Sequence, residues 1–127
     1  MNVALVRSSS LFIIPTLYGF NKGRYFLSTV SCVSMIASIN YWRHPVPGTR
    51  KNIDLFCSKL VGLAFFLHGH FYISNKILKT LGYCNGLSII YLFMSSCRQY
   101  ELHSENWIYY HIAFHISTVI GKMIVLL

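Results

Sequence analysis

The feature that most constrains this chain is a succession of long apolar runs divided by short polar breaks, at about residues 3–20, 25–42, 53–74, 81–97 and 107–127. A helix that crosses the hydrocarbon core of a bilayer needs about 20 mainly apolar residues, with a range of about 17–25. The runs 25–42, 53–74 and 107–127 meet that length, and 81–97 just reaches it. The run 3–20 is interrupted by Arg7, by Ser8, Ser9 and Ser10, and by Pro15. It is left open between spanning, lying in the interface and re-entering. Strands are excluded, because the runs are continuously apolar and too long for the alternating, roughly 9–11-residue strands of a barrel. The expected fold is all-α, a single polytopic transmembrane helical bundle with four spans plus this N-terminal hydrophobic segment.

The breaks carry turn chemistry. His44-Pro-Val-Pro-Gly48 is the strongest, since two prolines and a glycine cannot continue a helix. Asn21-Lys-Gly23, the stretch from Asn75 and Lys76, and Tyr100–Asn106 are the others. Tyr25, Tyr41, Trp42, Tyr72, Tyr83, Tyr100, Trp107, Tyr109 and Tyr110 fall at the predicted ends, where aromatic rings favour the headgroup level. Charged residues make up only 11% of the chain, against about 25% in soluble domains, too few to coat a surface that faces water.

The net charge of +8 does not indicate a nucleic-acid partner. Its lysines and arginines sit in the breaks instead of forming one basic face, which suits the headgroups of membrane lipid. If the last four runs all span, one face of the membrane (side A) receives Arg43, Arg50, Lys51 and Arg98, and the other (side B) receives Lys22, Arg24, Lys76 and Lys79. That tie leaves orientation undecided by the positive-inside rule. Cys32, Cys57, Cys84 and Cys97 form no CxxC or zinc-ribbon spacing and lie in apolar runs. Lys59 is expected to snorkel towards side A or to approach Asp54, and Lys122 to snorkel towards side B.

Polar residues inside spans are costly and therefore informative. Ser31, Ser34 and Ser38 share one helical face, suited to close helix packing or to a polar lining. Gly82 and Gly86 form a G-x-x-x-G that points to a packing contact. The strongest constellation is His44, Asp54, His111 and His115, which the alternation of spans brings to side A. His111 and His115, at i and i+4, stand on one side of a helix, as a metal chelate needs. Three imidazoles and a water make a catalytic zinc arrangement, with a nearby carboxylate acting on the water. The simpler reading has the histidines facing headgroups, while Asp54 caps a helix or pairs with Arg50. His68 and His70 lie near side B and do not join this set.

In their order along the chain, His44, Asp54 and the H-x-x-x-H of His111 and His115 resemble the CREST group of membrane hydrolases, which includes alkaline ceramidases and receptors of the progestin/adiponectin type. The family has seven spans, against four or five here, and the resemblance implies zinc-dependent hydrolysis of a lipid amide or ester. His44, His111 and His115 would hold the zinc, Asp54 would act on its water, and Ser38 or Asn40 would help hold the oxyanion. The family has a serine four residues before its first histidine; here Asn40 stands there and Ser38 is six before. Two functions follow as expectations. One is a non-enzymatic membrane component, as a homo-oligomer or beside other membrane subunits. The other is a CREST-like zinc hydrolase.

Overall fold

The computed structural model describes residues 1–127. The chain forms six helices and no strand: α1 (Val3–Ser10), α2 (Ile13–Asn21), α3 (Tyr25–Arg43), α4 (Thr49–Tyr72), α5 (Lys76–Glu101) and α6 (Trp107–Leu126). It is an all-α bundle, as its apolar runs require.

Four helical stretches are long and apolar enough to cross a membrane: Val3–Asn21, Thr49–Tyr72, Lys76–Glu101 and Trp107–Leu126. The interrupted N-terminal segment is among them, with α1 and α2 together spanning 19 residues. Pro15 accounts for the break between the two. It has no N–H, and its ring crowds the carbonyl four residues back, that of Leu11. Leu11 O instead accepts from Ile14 N at 3.1 Å, and Leu11 N and Phe12 N donate to Ser8 O and Ser9 O, three residues back, in a tightened turn. α3 has the length of a span but is not among the four, because Ser28, Ser31, Ser34, Ser38 and Asn40 dilute its apolar residues.

Two breaks fall where the turn residues put them. Gly23 (φ 72°) and Gly48 (φ 142°) hold backbone conformations that a side chain would strain. The third break is shorter than the hydropathy pattern suggested. Asn75 caps α5 by accepting from Ile77 N and Leu78 N, so Lys76–Thr80 are already helical. Likewise α4 starts at Thr49, directly after Gly48. Asp54 therefore lies in the second turn of α4 and is not its cap.

α3 packs against α1, α2 and α4, and α6 packs against α1, α2, α4 and α5. α5 lies on the outside, with Ser96 its one buried residue. The interior is inverted relative to a water-soluble fold: buried polar and charged side chains outnumber buried hydrophobic ones. Leu60, Leu63, Phe66, Phe71, Leu81, Leu87, Ile90, Met94 and many other large apolar side chains face outward. A small apolar cluster of Leu27, Val61, Phe65 and Leu126 closes the side B half. Small residues permit the closest helix approaches. A Cβ on Gly19 would collide with Ser28 across α2 and α3, and one on Gly121 with the Asn85 amide across α5 and α6. In the expected G-x-x-x-G, Gly82 faces Ile124 of α6, whereas Gly86 meets nothing.

Candidate functional site

The buried polar groups line up along one seam through the bundle. Its backbone is a stripe on α6: His111, His115, Thr118 and Lys122 at i, i+4, i+7 and i+11, a spacing that keeps side chains on one face. The serine face of α3 opposes it, and Ser28, Ser31, Ser34 and Ser38 are all buried. Ser8 and Ser9, just before the α1–α2 corner, complete the lining.

At the side A end, Asn2 N donates to Trp42 O at 3.0 Å, tying the N-terminus to the end of α3. The Trp42 ring stacks on Trp107, with centroids 6.0 Å apart, and meets the His111 ring edge-on at 5.0 Å. His111 Nδ1 is 3.1 Å from Ser96 Oγ of α5, which also donates to Trp107 O. One turn deeper, His115 Nδ1 lies 2.7 Å from Ser8 Oγ, and the two imidazole centroids are 4.8 Å apart. Ser9 Oγ and Ser38 Oγ share a 2.8 Å hydrogen bond. Asp54 of α4 lies beside Ser38 and is 9% exposed.

Below His115 the Phe12 ring fills the seam. Its centroid is 5.4 Å from that of His115 on one side and 4.0 Å from Lys122 Nζ on the other. Lys122 Nζ donates to Ser31 Oγ at 3.1 Å and to Ser34 Oγ at 3.5 Å, so its contacts are two hydroxyls and an aromatic face.

The expectation that Lys122 snorkels to side B is corrected by this geometry. Lys122 is 3% exposed. On an α-helix each Cα–Cβ bond tilts towards the N-terminus, and α6 starts on side A. The lysine stem therefore rises from near the side B end back into the bundle and delivers its ammonium to the level of Ser31 and Ser34. The signal was present in the sequence: Lys122 lies seven residues after His115, on the same face.

The four residues expected to assemble at side A separate into two groups. Asp54, His111 and His115 are drawn into the seam, while His44 is exposed at the end of α3, where Pro45 turns the chain away. No group of three His, Cys, Asp or Glu side chains is placed to hold a metal ion. Of the two candidate oxyanion residues, Ser38 faces the seam. Asn40, two residues on, is turned to the other side of α3 and is half-buried.

Comparison with protein-family models, with curated proteins and with solved structures finds no match for the chain. The functional reading therefore stands on the seam and on the apolar exterior.

Proposed function

We propose that this chain is a small multi-pass integral membrane component without hydrolytic activity, its polar interior sealed from lipid by an apolar exterior. The observation that carries this reading is the inversion itself: serines, histidines, an aspartate and a lysine inside, and large apolar side chains outside. In water that distribution would be unfavourable on both counts. In lipid the exterior is solvated, and the polar groups are driven inward to find partners. The outer face of α5 then lies in lipid or against a second copy or another membrane subunit.

The zinc-dependent hydrolase is the less supported reading, because its third imidazole, His44, stands outside the bundle. Alkaline carbonate extraction followed by flotation tests the main proposal. The protein is expected to stay with the membranes and float with them; recovery in the aqueous fraction would overturn it. Its mass in detergent, measured with the detergent contribution subtracted, separates a single chain from a homo-oligomer.

A further inference from the structure

Three buried side-chain polar atoms have no hydrogen-bond partner: Trp42 Nε1, Asp54 Oδ1 and Ser28 Oγ. All three belong to the seam. Trp42 and Asp54 stand at its side A end, and Ser28 stands one turn beyond Ser31 on the way to side B. An unpaired polar atom is unfavourable in an apolar medium, so the levels of these three atoms are where a water molecule is most favoured.

Depth along the bundle supports continuity between them. At 1.5 Å per residue, Asp54 and Ser38 lie about 8 Å from the side A ends of their helices, His115 about 12 Å, Phe12 about 14 Å, Ser31 about 18 Å and Ser28 about 23 Å. The succession covers most of the roughly 30 Å hydrocarbon thickness. Apolar groups interrupt it at two places: the Phe12 ring between His115 and Lys122, and the cluster of Leu27, Val61, Phe65 and Leu126 that closes the side B half.

We propose that this seam conducts protons across the membrane, with the Lys122 amine as the obligatory carrier and the Phe12 ring as the barrier between it and the side A half. The inference rests on the membrane reading above. Lys122 suits the task because of what surrounds it. The groups facing its Nζ are Ser31 and Ser34 from α3, Phe12 from the α1–α2 corner and Phe65 from α4, none of them anionic. The next titratable group along its own helix is His115, beyond Phe12. The ammonium therefore has no carboxylate to hold it in an ion pair at that level.

In each cycle the ammonium releases a proton through Ser31, Ser28 and water admitted past the Leu27 and Leu126 side chains to side B. The resulting amine takes up a proton from the His115 side when the Phe12 ring moves aside. The chain is unchanged by the cycle, and the electrochemical proton gradient supplies the driving force.

The test uses the full chain reconstituted into phosphatidylcholine vesicles containing an anionic lipid and an internal pH dye. A potassium gradient with valinomycin drives proton movement. Wild type is expected to carry protons faster than protein-free vesicles, Phe12→Ala faster still, and Lys122→Met no faster than protein-free vesicles. Lys122→Arg is decisive. It keeps the positive charge and can still donate to hydroxyls, but a guanidinium does not release its proton, so flux is expected to be lost in protein that still floats with the vesicles. Wild-type flux equal to that of protein-free vesicles, in protein that floats with the vesicles, would overturn the proposal while leaving the membrane reading intact. Undiminished flux in Lys122→Arg would overturn it equally. Protein that fails to float would overturn both.

Discussion

Ser8 and His115, separated by 107 positions in sequence, share a 2.7 Å hydrogen bond in the middle of the bundle. The contact ties the first helix to the last. It makes the N-terminal segment an integral part of the fold, and it satisfies an imidazole that is otherwise surrounded by Phe12, His111 and Phe114. Ser8→Ala is expected to lower stability by about 1 kcal/mol, the scale of interhelical hydrogen bonds in membrane bundles. Ser10→Ala, on the exposed side of the same helix, is expected to have no measurable effect. Thermal unfolding in detergent, followed by circular dichroism, compares the two.

Lys122 should reveal its packing role separately from its charge. Lys122→Met keeps a long flexible stem between Phe12 and Phe65, and replacing a buried charge by an apolar group of similar volume is often neutral or stabilising. Its stability is expected within about 1 kcal/mol of wild type. Lys122→Ala removes the stem and opens a cavity, costing about 2–3 kcal/mol. The same unfolding measurement orders the three proteins.

The α5–α6 contact depends on Gly121. A side chain there meets the Asn85 amide, which donates to Ser117 O at 3.0 Å. Gly121→Val is expected to cost about 1–3 kcal/mol by overpacking, and to detach α5, which is held mainly by this neighbour. Gly86→Val, into open space, is expected to leave the bundle intact. Cross-linking between cysteines introduced in α5 and α6 measures whether the helices stay paired.

If α1 and α2 cross the membrane together as one kinked span, the topology is set. Single cysteines at Asn2, Val46 and Ser104, in a background lacking the four native cysteines, are expected to react with an impermeant thiol reagent from one face. Cysteines at Gly23 and Asn75 are expected to react from the other. Opposite labelling of Asn2 and Val46 would show that the N-terminal segment does not cross.

Metal analysis bears on the hydrolase reading. With His44 exposed and no three-residue ligand group, purified protein is expected to hold zinc well below one atom per chain. His111→Ala with His115→Ala is expected to leave that value unchanged. Stoichiometric zinc, lost in the double variant, would restore the zinc site.

Much of this arrangement was legible in the residues. The prolines and glycine of His44–Gly48 end one helix and start the next where the structure does. The shared face of Ser31, Ser34 and Ser38 is buried as its spacing predicts. The pairing of His111 with His115 follows from a separation of one turn. Less legible was the continuous helical stretch of spanning length in α1 and α2, since hydropathy registers Arg7 and Pro15 as interruptions. Arg7 proves to be exposed, and the break ahead of Pro15 takes up only Leu11 and Phe12, so α1 and α2 follow one another directly. His44 stands apart for a different reason. Its place in the order of spans puts it on the correct side of the membrane, but whether it points into the bundle depends on a loop whose direction the residues do not state.

By itself, the amino-acid sequence determines the solvent and the elements: apolar runs of spanning length, punctuated by prolines, glycines and charges, become helices in lipid. It also determines which residues share a helix face, because periodicity is a local property of one backbone. Only the tertiary structure decides how those faces are rotated towards one another. That rotation turns the serine side of α3, the corner at Phe12 and the stripe of α6 to a common interior, and it carries the Lys122 ammonium to the centre of the bundle instead of to its rim. The physical reason is that rotation about a helix axis is set by packing among all the helices at once, a balance that no single segment records.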